Sequence, residues 1–164
     1  MHLPTFDYIR PASLRQALEL LGQHAGRAAV LAGGTDLLIA MRQRLAVPGV
    51  VIGLGGLPEL ATVTAAADGG LRIGAACTLT TLVQHPLIRE RFPSLAAALK
   101  SVGSRHVRNA ATLGGNLNLP TRCWYTNQSE GWRQAREGCF KTDREACHVL
   151  ASSHKCVATS SADS

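Results

Sequence analysis

Four thiols fall in the 37 residues from Thr121 to Val157: Cys123, Cys139, Cys147 and Cys156, with 15, 7 and 8 residues between them. The same stretch holds four of the seven aromatic side chains, Trp124, Tyr125, Trp132 and Phe140, so thiols and large rings are concentrated together. Clustered thiolates are soft ligands suited to zinc or to an iron–sulfur cluster. The tight Cys-x-x-Cys pairs of zinc ribbons are absent, and so is bacterial ferredoxin spacing. His148 and His154 are rival ligands that would permit a mixed Cys/His zinc site. Spacing alone leaves iron–sulfur, zinc and unliganded thiols all open. Arg122, Arg133, Arg136, Lys141, Arg144 and Lys155 would offset thiolate charge, and the rings would exclude water; both features tune a cluster. Cys77 lies in the small-residue stretch Gly74 to Thr78 and reads as a packed thiol.

Two double glycines form the second candidate. The apolar run Ala28 to Leu31 reads as a buried strand feeding into Ala32-Gly33-Gly34-Thr35-Asp36, after which Leu37 to Arg42 reads as helix. Paired glycines turn tightly and leave their N–H groups uncovered. Thr35 or Asp36 can cap the following helix, whose first N–H groups and dipole favour an anion. Strand, glycine turn and helix start together make a phosphate cradle. The pattern is neither Gly-x-Gly-x-x-Gly nor a P-loop, and a plain turn is the alternative. Thr112-Leu113-Gly114-Gly115-Asn116 repeats the device. One loop suits one phosphate, and two facing loops would clamp a diphosphate.

The surrounding elements are short. Phe6, Tyr8 and Ile9 read as a strand stopped by Pro11. Ser13 with Gln16 has capping-box spacing and opens a helix that Gly22 would end. Val50 to Ile52, Leu60 to Val63 and Leu71 to Ile73 read as strands, with a hairpin at Asp68-Gly69-Gly70. Thr78 or Thr80 opens a further helix, and Pro93 to Val102 is helical with Leu95, Ala98, Leu99 and Val102 on one face.

At 164 residues and 46% apolar content the chain has the material for one ordinary domain. It has no run of 18 apolar residues and no basic-then-apolar N-terminus, so neither a membrane span nor a secretory signal is expected. The expected compartment is the cytoplasm, where clustered cysteines favour metal over disulfides. Arg89, Arg91, Lys100, Arg105 and Arg108 face only Glu90 in one window. This patch is either a solvated helical face or an attractor of phosphate. No exposed aromatics interleave with it, so nucleic acid is not expected as a partner.

Leu31-Ala-Gly-Gly-Thr-Asp-Leu-Leu38 and Asn109-Ala-Ala-Thr-Leu-Gly-Gly-Asn-Leu117 resemble the two double-glycine motifs of the flavin subunits of molybdenum hydroxylases. Arg72 to Thr80 is similar to the segment between those motifs. The resemblance covers about residues 3–119. It implies an α+β fold, a FAD-binding domain of the vanillyl-alcohol oxidase (PCMH) type in two subdomains. Residues 1–60 would form the first subdomain and 61–120 the start of the second. Residues 121–157 would be a cysteine-rich insertion, and 158–164 the truncated continuation of the second subdomain. By the same resemblance Leu31, Ala32, Gly33, Gly34, Thr35 and Asp36, with Thr112, Leu113, Gly114, Gly115 and Asn116, would contact FAD. Ser161-Ala162-Asp163 resembles a motif whose aspartate touches the flavin. The family continues past this point, so the C-terminal part of the domain is expected to be missing, and the chain alone inactive.

The cysteine stretch, with Arg122-Cys-Trp-Tyr and Asn127-Gln-Ser-Glu ahead of Trp132, resembles the insertion of 4-hydroxybenzoyl-CoA reductase β subunits. That resemblance implies a [4Fe-4S] cluster on Cys123, Cys139, Cys147 and Cys156. It further implies an oxidoreductase subunit with no catalytic acid or base of its own. Electrons would come from ferredoxin and pass the cluster and FAD to a small [2Fe-2S] subunit and a large molybdenum-cofactor subunit of a hetero-oligomer. There 4-hydroxybenzoyl-CoA would be reduced to benzoyl-CoA. The alternatives are the FAD subunit of another molybdenum hydroxylase, with an aromatic or purine substrate, and a zinc-stabilised interaction module.

Overall fold

The computed structural model describes residues 2–120, 123–142 and 144–158. Asp163 and Arg122, both singled out above, lie outside the described residues. The apolar runs Asp7–Ile9 (β1), Ala28–Leu31 (β2) and Val50–Gly53 (β3) pair as a parallel sheet in the order β1–β3–β2. All four residues of β3 are buried, as a central parallel strand covered on both faces requires. Helix α1 (Leu14–Gln23) and helix α2 (Leu37–Arg42) lie in the connections.

Ser13 caps α1 by accepting the Gln16 N–H at 3.2 Å. The reciprocal bond of the capping box is shifted by one residue, because Gln16 Oε1 accepts from Ala12 N rather than from Ser13 N. Gly22 does not end this helix. The chain runs helically to Gln23 and turns at Gly26, which holds the left-handed φ of 75°.

The chain then changes style. A 3-10 turn at Pro58–Leu60 precedes β4 (Val63–Ala65), which pairs antiparallel with β5 (Leu71–Ile73). The expected strand from Leu60 to Val63 is corrected by this arrangement: Pro58 starts a helical turn, and only Val63 reaches the sheet. The hairpin at Asp68-Gly69-Gly70 forms as read, with Asp68 accepting the Gly70 N–H. Five helices follow: α3 (Leu79–Gln84), α4 (Pro86–Arg91), α5 (Pro93–Ser101), α6 (Arg105–Ala110) and α7 (Leu113–Leu117). Thr78 caps α3, accepting from Thr81 N at 3.1 Å. The fold is therefore α+β.

Two separate cores result. Ala17, Val50, Ile52 and Leu57 pack with Ile9, Leu20, Leu21, Ala28, Leu54 and Leu60 in one. Cys77, Leu79, Leu82, Ile88, Leu99 and Ala111 pack with Val63, Ile73, Leu95 and others in the second. The division in sequence falls between Leu60 and Val63. Cys77 is a core residue whose thiol donates to the Thr62 carbonyl at 3.5 Å. Beyond α7 the described chain is built of turns plus one short helix, α8 (Glu130–Ala135), capped by Ser129. Among the described residues no helix is long and apolar enough to cross a membrane.

Candidate functional site

The two double-glycine segments meet. A Cβ added to Gly33 would lie 2.0 Å from the Ala110 carbonyl oxygen and 3.0 Å from Ala111 Cα. The first loop therefore presses, without a side chain, on the backbone that leads into Thr112. Gly34 holds φ at 75°, the left-handed conformation that glycine adopts without steric cost. Around it Ala32, Gly33, Gly34 and Thr35 donate their N–H groups to no acceptor among the described residues. A run of such amides through a left-handed turn is an anion-binding concavity. Leu31 through Asp36 are all partly exposed, so a ligand can reach them. Asp36 occupies the position before α2 but makes no side-chain cap bond there, and Thr35 precedes it. The capping expected for this six-residue helix does not occur.

The second loop is different. Leu113 N donates to Cys77 O at 3.0 Å, Gly114 N to Ala75 O at 2.8 Å, Gly115 N to the Thr112 hydroxyl at 3.2 Å and Asn116 N to Thr112 O at 2.9 Å. Its amides are thus committed, and the expectation of a second uncovered row of N–H groups is not met. The reason is packing. A Cβ on Gly114 would lie 2.7 Å from Ala75 Cβ, so glycine here lets the loop lie against residues 75–77. Thr112, 5% exposed, is the pin of this arrangement: it bridges to Thr78 and caps α7. Replacing Thr112 by Val is expected to lower stability by about 1 kcal/mol, the usual worth of an N-cap, while Thr112→Ser retains it. Thermal unfolding of the two variants checks this.

The four clustered thiols come together. Cys123, Cys139, Cys147 and Cys156 all line one cavity, with Tyr125, Phe140, His148 and Val149 among the other walls. Tyr125 stacks on His148 at 4.9 Å and tilts against Trp132 at 6.2 Å. Trp124 is 74% exposed and shields nothing. Among the described residues no group of three or more His, Cys, Asp or Glu side chains is placed to hold a metal ion. A single tetrahedral zinc needs sulfurs about 3.8 Å apart, given a Zn–S bond of about 2.3 Å. His148 lines the same cavity, and its Nε2 lies 2.8 Å from Gly138 O, which leaves Nδ1 as the ring nitrogen available to a ligand.

Two of the thiols sit among donors. Burial pushes the Cys139 thiol up, but the Lys141 N–H, the hydroxyls of Thr126 and Thr142 and the Thr142 N–H outweigh it and hold the thiol below its ordinary range. Cys147 is also held low, first by the Leu150 N–H against its desolvation, then by the Val149 and Val157 N–H groups, while nearby Cys139 opposes. In both cases the amides two and three positions after the cysteine address its sulfur. The repeat of that turn was not visible in the spacing of the cysteines.

Three of the cations expected to balance the thiolates, Arg133, Arg136 and Arg144, make other contacts. Arg133 donates to the carbonyls of Thr126 and Gln128, Arg136 lies over the Trp132 ring at 5.1 Å, and Arg144 pairs with Glu137. At Cys139 and Cys147 the groups that favour the thiolate are backbone amides and, at Cys139, hydroxyls. The basic window is likewise partly structural: Arg108 donates to Val102 O and Gly103 O, both at 2.9 Å, and Arg91 to Gly69 O.

Comparison with known proteins follows the same outline. The family described as the FAD binding domain in molybdopterin dehydrogenase matches residues 4–164. A xanthine dehydrogenase FAD-binding subunit of Escherichia coli O157:H7 is 39% identical over 111 residues, 68% of this chain and 38% of that one. The aldehyde oxidoreductase FAD-binding subunit PaoB of Escherichia coli K12 is 34% identical over 166 aligned positions, covering 98% of this chain and 52% of its own length. In solved structures, carbon monoxide dehydrogenase from Hydrogenophaga pseudoflava superposes with a TM-score of 0.69 at 37% identity, over 71% of this chain and 40% of that one. This chain thus spans between about two fifths and half of the length of these relatives.

Proposed function

We propose, because this chain belongs to the family of FAD-binding domains of molybdopterin dehydrogenases, that it is the electron-relay part of a multi-subunit oxidoreductase. The observation that carries this reading is the first glycine loop, in which the amides of Ala32 to Thr35 meet no acceptor among the described residues and the back of Gly33 rests on the second motif. In this reading the N–H groups of Ala32, Gly33, Gly34 and Thr35 hold the FAD diphosphate. Leu31 and Asp36 flank it, and Thr112, Leu113, Gly114, Gly115 and Asn116 form the brace that fixes the loop. FAD supplies the exchange of one or two electrons. The protein's task is to grip the diphosphate and keep the isoalloxazine at a set distance from its redox partners.

The second redox centre is read as a [4Fe-4S] cluster on Cys123, Cys139, Cys147 and Cys156. The support is chemical: four soft donors on one cavity, two of them with amides aimed at sulfur, which stabilise the thiolate form a metal requires. The partners in this reading are a large molybdenum-cofactor subunit and a small [2Fe-2S] subunit, with ferredoxin as the external electron carrier.

Two substrates compete. The resemblance of the cysteine stretch to 4-hydroxybenzoyl-CoA reductases favours reduction of an aromatic thioester. The alignment of the aldehyde oxidoreductase subunit through this same stretch, where the xanthine dehydrogenase alignment spans 68% of the chain, favours an aldehyde. We take the aldehyde as the better supported, with electrons then leaving through FAD and the thiol site. Assay of the assembled complex with benzaldehyde and with 4-hydroxybenzoyl-CoA separates them.

The cofactors are tested first. Anaerobic preparation is expected to give FAD and about four iron and four sulfide per chain, with absorbance bleached by dithionite. Zinc without sulfide sinks the cluster, and FAD without iron leaves the flavin role alone. Cys77→Ser, in the core and away from the cavity, is expected to leave the iron content unchanged.

A further inference from the structure

Ligands of parallel sheets bind beyond the carboxyl ends of the strands. Three segments leave that end of this sheet side by side: Arg10 after β1, Gly55-Gly56 after β3, and the first glycine loop after β2. The segments after β2 and β3 are tied at their root, where Leu54 N donates to Leu31 O at 2.8 Å. Glycines keep the end of β3 bare. A Cβ on Gly53 would collide with the Tyr8 hydroxyl and lie 2.8 Å from Tyr8 Cζ, and one on Gly56 would lie 3.0 Å from Arg10 Nη2. Both side chains therefore start on β1 and end over β3, about one strand spacing of 4.8 Å from the line of β2. Tyr8 is 52% exposed and Arg10 is exposed as well. Among the described residues neither the Tyr8 hydroxyl nor the Arg10 guanidinium has a hydrogen-bond or ion-pair partner, and the Gly55 and Gly56 N–H groups meet no backbone acceptor. The first loop itself, Leu31 to Asp36, brings an acid and no cation.

We propose that Tyr8 and Arg10 form a second wall of the anion site whose first wall is the amides of Ala32 to Thr35, and that Arg10 supplies the positive charge a diphosphate requires. The proposal rests on the FAD reading above for the identity of the ligand, and on these residues for its charge. A guanidinium meets phosphate oxygens through two parallel N–H groups, and the phenol adds one donor beside it. The bare end of β3 is what lets both reach inward from the edge of the sheet.

The test uses the whole chain with two probes, FAD followed by flavin fluorescence and inorganic pyrophosphate followed by calorimetry. Arg10→Met is expected to weaken both at least about tenfold, the worth of a charge-assisted hydrogen bond. The difference from the unaltered chain is expected to narrow as salt rises. Arg10→Lys, which keeps the charge but not the paired donors, is expected to fall between them, and Tyr8→Phe to lose about threefold. Arg27→Met is the control. It removes the same charge from the opposite end of the sheet, where the Arg27 guanidinium lies against Gly49, and is expected to leave both affinities unchanged. Thermal unfolding of each variant is expected to stay near that of the unaltered chain, since these side chains are exposed. Arg10→Met binding both probes within about twofold of the unaltered chain, or Arg27→Met losing as much as Arg10→Met, overturns the proposal. Pyrophosphate binding that depends on Arg10 in a chain that takes up no FAD upholds the anion site and sinks the FAD reading. A chain that binds neither probe overturns both.

Discussion

Gly33→Ala is expected to abolish tight FAD binding. The added methyl carbon would sit 2.0 Å from Ala110 O and 2.7 Å from Ala110 C, both backbone atoms that cannot rotate aside. The loop must therefore lift from the second motif. Overpacking of this kind costs about 1–3 kcal/mol in stability. The amides of Ala32 to Thr35 move with the loop, so FAD affinity is expected to fall at least about tenfold, about 1.4 kcal/mol or more. Flavin fluorescence titration and thermal unfolding measure the two losses. Gly22→Ala is the control: it has nothing within 4 Å of the added carbon and lies inside α1. Alanine there is expected to be neutral or to stabilise by up to about 1 kcal/mol. If both variants behave alike, the loop contact does not matter.

Leu79→Ala carries the largest expected effect on stability. Its side chain is fully buried in the second core, and its N–H donates to Ala111 O at 2.9 Å, one residue before Thr112. Truncating a buried leucine costs about 2–5 kcal/mol through lost transfer energy and the cavity left behind. For a chain of this size each kcal/mol lowers Tm by about 2–4 °C. A fall of about 10 °C is expected, with weaker FAD binding because the brace under the first loop loosens. Leu18→Ala, at a residue 61% exposed on α1, should leave both measurements nearly unchanged.

What could be read from the sequence was what neighbours decide. Ser13 and Thr78 cap helices because a hydroxyl followed by helix-forming residues needs no distant partner. Asp68-Gly69-Gly70 turns for the same reason. Gly22 misled because a glycine can end a helix or lie within it, and the choice fell to Gly26. Pro58 similarly redirected the segment that had the composition of a strand. The meeting of the glycine motifs was beyond reach, since Gly33 and Ala110 are far apart in sequence and touch through backbone alone. The commitment of the second loop's amides was hidden likewise, because the carbonyls of Ala75 and Cys77 come from another segment.

At the thiol site, residue types gave the location but not the electrostatics. Charge counting assigned the balance of thiolate charge to arginine and lysine side chains. At Cys139 and Cys147 the amides of Lys141, Val149 and Leu150 favour the thiolate, with no side chain to order. Arg133 and Arg136 were left to fasten loops and cover Trp132. That division has a physical logic, since a backbone amide fixed in a turn loses little further freedom when it meets sulfur.

The contact at Gly33 also joins the two cores, because β2 belongs to the sheet of the first and Ala111 to the interior of the second. A ligand gripped by that loop therefore reports on lobe association. If the lobes are docked for only a tenth of the time, the apparent dissociation constant rises about tenfold over its intrinsic value. By reciprocity, each bound cofactor biases the lobes toward docking by the same factor. The cofactor then acts as a clasp as well as a carrier of electrons.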